Sequence, residues 1–261
     1  KKTNLKEGEV LMSGSSKGGA SLYNVNERVN LDMFDAVISY SGLGNFSSTE
    51  LQKALAGKNA NVDLHLGKLH EYVSGNCTPK DMETMFQMNY LYFTNIKKDE
   101  QSVNTLLNQY RTILKNKALS PESALQDSLT YTLHSHSPWY TSLDEKDIDK
   151  VNYDRILQIA KERTANAADF TFTIVGNFDE ALVRKYIEQY IASLPSVKKS
   201  KKYVHENWKA YSVYAKGNID NTFYRKQETP KSNIYMFWYN NNGPFTLDNS
   251  IQADAAGQVL D

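Results

Sequence analysis

The stretch that most constrains this chain is residues 169–195, DFTFTIVGNFDEALVRKYIEQYIASLP. Phe170, Phe172 and Ile174 alternate with Thr171 and Thr173, the period of a half-buried strand. Leu182, Val183, Tyr186, Ile187, Tyr190, Ile191 and Leu194 then recur on one helical face, and Pro195 stops the run. Asn177 is placed to cap the helix, with Glu180 three residues on as the reciprocal partner. A strand feeding a helix across a glycine also invites a nucleotide reading. That reading fails, because a phosphate cradle needs several glycines so that backbone N–H groups can approach the anion. Gly176 stands alone here, with Asp179 and Glu180 just after it. The corner is a sharp turn between packed elements.

The other elements set the fold class. EVLMSGSS is a short strand followed by a Gly18-Gly19 loop, and residues 25–40 read as a helix with Val29, Met33, Ala36, Val37 and Tyr40 on one side. SSTELQKALAGK is a short helix capped by Ser48 and stopped at Gly57. Residues 61–78 split around Gly67-Lys68 into two alternating runs, an antiparallel hairpin. Four helices follow. The first covers 80–94 with Met82, Met85, Phe86 and Phe93, and the second covers 99–117 with Val103, Leu106, Leu107, Tyr110, Ile113 and Leu114. The third opens on Ser120 with Pro121 at its first position, and the fourth is NYDRILQIAKER. Strands this sparse, with a hairpin among them, predict an α+β fold: an antiparallel sheet with helices on one face.

The expected division is a domain over residues 1–195, a linker over 196–229 and the truncated start of a second domain over 230–261. The linker is basic and aromatic without sustained period, and its KKSKK run reads as solvated chain. NIYMFWY, residues 233–239, reads as a strand apolar on both faces, with Ile234, Met236 and Trp238 opposite Tyr235, Phe237 and Tyr239. Ile251, Ala255, Val259 and Leu260 put an apolar stripe on a final helix with no cap after it. The chain begins at Lys1 without a signal peptide, so the expectation is a fragment of a longer product.

Bulk properties exclude several function classes. Thirty basic residues balance thirty acidic ones, which leaves no global field to select nucleic acid or an anionic membrane. No uninterrupted apolar run approaches the ~20 residues of a membrane span. Cys77 is the single cysteine, which excludes an internal disulfide and a cysteine-rich metal cluster.

Side chains able to do chemistry are scattered. His65 and His70 flank the hairpin turn, and His205 lies in the linker. His134 and His136 form a His-x-His pair beyond a helix end, with Asp144 and Glu145 as the nearest acids. Zinc needs three or four protein ligands, so the pair reads as a loop. Cys77, with His65 or His70 as a base, reads more simply as a buried thiol. No Gly-x-Ser-x-Gly is present to mark a nucleophilic serine. No catalytic, cofactor-binding or metal-binding residue is assigned.

Taken in order, GGASLY, SGLGNFSSTELQKALAGKN, CTPKDMETMFQMNYLYFT, ANAADFTFTIVGNFDEALVRKYIEQYIASLP and KQETPKSNIYMFWYNN resemble the pitrilysin/insulinase-type zinc metallopeptidases, the group that includes the mitochondrial processing peptidases. The resemblance runs from residue 5 to 261, and the strand–VGNFD–helix–SLP block is its most specific part. It implies repeated α+β domains in two halves that close around an unfolded polypeptide. It also implies, in the catalytic domain, a His-x-x-Glu-His helix whose two histidines and a distal glutamate bind zinc while the inner glutamate activates water. In this sequence the matching helix is FDAVISYSGLGNF, and Ala36, Ser39 and Tyr40 stand where His, Glu and His are required. None of the three can take those roles. The resemblance therefore implies a non-catalytic half: no cofactor in this piece, zinc in the catalytic half of the parent, and no peptidase activity alone. It implies an apolar, tyrosine-rich wall of a peptide-enclosing chamber. The implied partners are the catalytic half, in the same polypeptide or a separate subunit, and a peptide or unfolded protein. The alternative is a structural or peptide-binding subunit of the same family without protease activity. The look of the family implies a periplasmic or otherwise exported location.

Overall fold

In a computed structural model the described residues are 1–3, 8–197, 209, 211, 213–226, 231–237 and 246–260. They fall into two compact units, residues 1–224 and 225–261.

The first unit is built on strands β1 (Val10–Lys17), β3 (Ala60–Leu66), β4 (His70–Cys77) and β6 (Thr171–Gly176). They form one antiparallel sheet in the order β3-β4-β1-β6. Helices α1 (Arg28–Asp32) and α2 (Phe34–Ser39) follow β1, and α3 (Ser48–Ala54) lies between β2 (Gly42–Leu43) and β3. Helix α4 (Met82–Thr94) leads to β5 (Ile96–Lys97), which pairs with β2. Then come α5 (Glu100–Leu119), α6 (Pro121–Leu133) and α7 (Tyr153–Thr164), and α8 (Glu180–Tyr186) follows β6. This is the α+β architecture expected, with helices packed on one face of the sheet.

Alternation explains the layering. Val10, Met12, Val73, Val62, Leu64 and Ile174 point to the helical side and are buried. Against them pack Met82, Met85, Phe86 and Phe93 of α4, and Ile156, Ile159 and Ala160 of α7. Strand period 2 meets helix period 3.6 along this one interface, and the core of the unit is there.

Several local expectations shift. The helix expected over 25–40 is broken at Met33 into α1 and α2, after a 3₁₀ turn at Val25–Glu27. Met33 and Val37 are buried as expected, but Leu31, Phe34 and Ile38 join them, while Tyr40 is exposed. Helix α3 is capped by Ser47 rather than Ser48: the Ser47 hydroxyl accepts from Glu50 N–H, and Glu50 reaches back to Ser47 N–H. Helix α8 is capped by Asp179 rather than Asn177, its carboxylate accepting from Leu182 N–H at 2.8 Å. Burial of Phe178 holds the chain in a turn for two more residues before the helix starts. The helix then widens into a π turn over Ile187–Ile191, and Leu194 closes the face.

Gly176 is a glycine for steric reasons. Its φ is 150°, and a Cβ there would stand 2.4 Å from Glu9 O. The corner is filled by protein backbone rather than by a ligand.

In the second unit α9 covers Leu247–Leu260. The strand expected over 233–239 is not formed where described: residues 231–237 lie in no helix or strand, and Ile234 and Met236 are exposed. A strand apolar on both faces needs neighbours on both edges, and none is paired with this segment among the described residues. Trp238 and Tyr239 lie outside the described residues, as does His205.

Candidate functional site

The helix that would carry a zinc motif is α2. Ala36 offers a methyl group, and Ser39 Oγ donates back to Ala36 O at 2.9 Å. Tyr40, at the helix end, is 39% exposed. These side chains do not fit zinc, which takes deprotonated thiolate, imidazole or carboxylate donors. Among the described residues no group of three or more His, Cys, Asp or Glu side chains is arranged to hold a metal ion.

The polar groups around α2 are engaged in holding elements together. Asp35 accepts from Leu66 N–H at 2.8 Å and meets His65 Nδ1 at 3.1 Å, tying α2 to the outer strand β3. On the other side Ser41 and Tyr153 hydroxyls meet at 2.9 Å, and Asp99 N–H donates to Tyr153. Asp99 caps α5 through Ser102 N–H and also accepts from Ser48 N–H. Partial burial pushes the Asp99 carboxyl up, but the hydrogen bonds from Ser102 and Ser48 outweigh it and hold it below the ordinary range.

The remaining candidates are placed structurally. His134 ends α6, its ring stacked on Tyr140 at 3.4 Å between centroids, with Nδ1 donating to Val213 O at 2.8 Å. His136 sits edge-on to Tyr131, so the two histidines face different partners. Asp144 caps a 3₁₀ turn reciprocally with Asp147. Cys77 is buried, and burial, aided by Asp81, pushes its thiol up to about 12. His70 and His65 stand on neighbouring strands near the hairpin turn; His70 packs beside Tyr72.

Two features were not read from the sequence. The first is a corner in which the Gly18–Ser21 loop docks on the hairpin turn. Gly18, Ala20 and Ser21 N–H groups donate to the carbonyls of Leu69, Gly67 and Lys68 at 2.8–2.9 Å. Gly19 N–H donates to Glu71 Oε2 at 2.7 Å, and Glu71 is 1% exposed with Oε1 unpartnered. Burial pushes the Glu71 carboxyl above its ordinary range. The GGAS stretch signals this corner, since a Cβ at Gly19 would stand 2.3 Å from Gly67 O on a backbone already at positive φ.

The second feature is the face of the sheet opposite the helices. Cross-strand rows run Val175–Leu11–Asn76–Asn61 and Thr173–Ser13–Ser74–Asp63, and the next row holds Thr171, Ser15, Tyr72 and His65. Leu11, Val175 and Asn76 of the first row and Thr173, Ser13, Ser74 and Asp63 of the second border a shallow depression of about 500 Å³. The apolar, tyrosine-rich face expected is instead mostly small and polar. Its tyrosine is Tyr72, because serine and threonine occupy the outward positions of β1 and β6.

The architecture has known counterparts. The chain superposes on the periplasmic protease PqqL from Escherichia coli with a TM-score of 0.63 at 19% identity, over 76% of this chain and 22% of that one. It superposes on a peptidase M16 inactive domain from Pseudomonas fluorescens with a TM-score of 0.58 at 14% identity, over 78% and 50%.

The chain has the pitrilysin-type peptidase fold.

A protease from Helicobacter pylori shares the fold, with a TM-score of 0.61 at 11% identity over 76% and 48%. The chain thus spans about a fifth of PqqL and about half of the latter two proteins. No family model and no curated protein sequence matches it. No helix among the described residues is long and apolar enough to cross a membrane.

Proposed function

We propose that this chain is a non-catalytic domain of a pitrilysin-type zinc endopeptidase, serving as part of the wall of a peptide-enclosing chamber and as a docking surface for the catalytic half. The reading is supported by the pairing of that fold with Ala36, Ser39 and Tyr40 on and just after α2, where the resemblance would put the zinc ligands and the general base. The zinc and its activated water would belong to the catalytic half of the parent. On this reading residues 1–195 are one repeat, 196–229 the connection and 230–261 the start of the next repeat, and no residue of this piece is catalytic.

The open sheet face is the surface offered to a polypeptide. Outward Ser13, Ser74 and Thr173 present hydroxyls that donate and accept, and Leu11 and Val175 add apolar area beside them. Such a face suits extended chains of mixed sequence, because it holds backbone amides without a deep side-chain pocket. Likeness to a periplasmic protease supports an exported location.

The test is site-specific photo-crosslinking with an unfolded polypeptide. A photoreactive residue at Ser74 should capture it, and one at Thr112 on the exposed side of α5 should not. Equal capture at both positions, or capture at Thr112 alone, would exclude the chamber-wall role. Capture by a parent protein that never cleaves would assign the alternative, a peptide-binding subunit.

A further inference from the structure

The depression on the open sheet face has two unlike ends. At its β1–β6 side Leu11, 45% exposed, stands beside Val175 in one cross-strand row. At its β3 side stands half-buried Asp63, in the next row, beyond Ser13 and Ser74. Of the described side chains that border the depression, Asp63 alone is charged. Its Oδ2 accepts from Asn61 Nδ2, a neutral donor, and a carboxylate has about four acceptor sites. Lys17, the basic residue of β1, pairs with His70 two rows further on, outside the depression. Strands lie about 4.8 Å apart and rise about 3.4 Å per residue, which puts Asp63 about 12 Å from Leu11 across the face. An extended polypeptide turns every second side chain to the same side, so its residues i and i+4 stand about 13 Å apart there.

We propose that Asp63 sets the specificity of this face, selecting extended segments that carry Lys or Arg four residues from an apolar side chain. The proposal rests on the open face being the surface offered to a polypeptide. The apolar side chain covers Leu11 and Val175 and takes their exposed area out of water. The basic side chain reaches Asp63, where it forms a charge-assisted hydrogen bond that partial burial shields from salt. The hydroxyls of Thr173, Ser13 and Ser74 lie between the two ends and serve any backbone that crosses them. A segment with Glu at the basic position is repelled, so the selection is a difference between two affinities.

Fluorescence anisotropy of labelled peptides with the intact chain tests this. Three short Ser/Gly peptides carry Leu and, four residues on, Arg, Gln or Glu; a fourth carries Leu and Arg side by side. The Arg peptide should bind about fivefold tighter than the Gln peptide at low salt, with the Glu peptide weaker still, and high salt should shrink the preference. The adjacent-Arg peptide should lose the preference, because its two side chains face opposite ways. Asp63→Asn should bring the Arg and Gln peptides within about twofold of each other. Asp149→Asn removes the same charge from the exposed side of the 3₁₀ turn at Glu145–Lys150 and should keep the preference. If Asp63→Asn loses its far-UV circular dichroism, the adjacent-Arg peptide on the wild type decides. Equal binding of the Arg and Gln peptides, a preference that survives Asp63→Asn in the folded variant, or one indifferent to spacing would overturn the specificity and leave the face as a peptide surface. Failure of every peptide to bind would overturn both.

Discussion

Gly19 is the position where one added carbon should do the most damage. Its φ is 60°, and a Cβ there would stand 2.3 Å from Gly67 O and 2.6 Å from His70 N, both backbone atoms that cannot swing away. Left-handed backbone costs a non-glycine residue about 1–2 kcal/mol. Relieving the clash separates the loop from the hairpin turn, and with it the bonds from Gly18, Ala20 and Ser21. Losing two of these costs about 2 kcal/mol net, and stripping buried Glu71 of its Gly19 N–H adds about 1–3 kcal/mol. Gly19→Ala should therefore destabilise the first unit by about 4–7 kcal/mol. Gly57 is the internal control: its φ is 79°, but nothing lies within 4 Å of the position a methyl group would take. Gly57→Ala should cost only the backbone strain, about 1–2 kcal/mol. By far-UV circular dichroism, at about 2–4 °C per kcal/mol for a unit of this size, Gly19→Ala should melt at least about 8 °C lower. Gly57→Ala should fall by no more than about half of that. Equal shifts for the two variants would refute the reasoning, because they would mean that the loop–turn contact contributes nothing beyond the φ angle.

Glu71 makes a pH prediction of opposite sign to an ordinary paired carboxylate. Burial raises its folded-state pKa above 4.5, so the folded state binds the proton more tightly than the unfolded one. Its contribution is fully present below about 4.5 and declines as pH rises through the folded value. The stability of wild type minus Glu71→Gln should fall across that window in urea titrations, and a difference that rises with pH would be contradictory. Asp81 has the reverse sign: hydrogen bonds from Asn59 N–H and Thr78 hold its carboxyl low, so Asp81→Asn should narrow the stability lost on acidification below pH 4. Cys77, with its thiol pushed up to about 12, should resist a thiol reagent at pH 8 in the native chain and react once urea unfolds it. Rapid native labelling would show that the hairpin end opens freely.

The sheet and main helices were legible because their signals are local. Alternation in β1, β4 and β6 and the apolar stripe of α4 each fit within one element, and Ser120-Pro121 caps α6 as written. The caps at Ser47 and Asp179 were missed by one and two residues. At Ser47 the true signal, Glu50 three residues on, was present but masked by a second serine. At Asp179 the decision rests on burying Phe178, a tertiary fact. The packing of Tyr211, Val213 and Tyr214 could not be read at all: they have no period, and their partners Trp139, Tyr140 and His134 lie about seventy to eighty residues away. That Ala36, Ser39 and Tyr40 cannot ligate zinc is legible from their side-chain chemistry alone, whereas their placement at zinc-helix positions comes only from the resemblance.

The most direct test of the account is the metal content and peptidase activity of the purified chain, measured together. After mild chelation and dialysis it should hold far less than one equivalent of zinc, and it should leave an unfolded polypeptide uncut. One tightly held zinc with cleavage that stops on stronger chelation would contradict the assignment of this domain to the non-catalytic half.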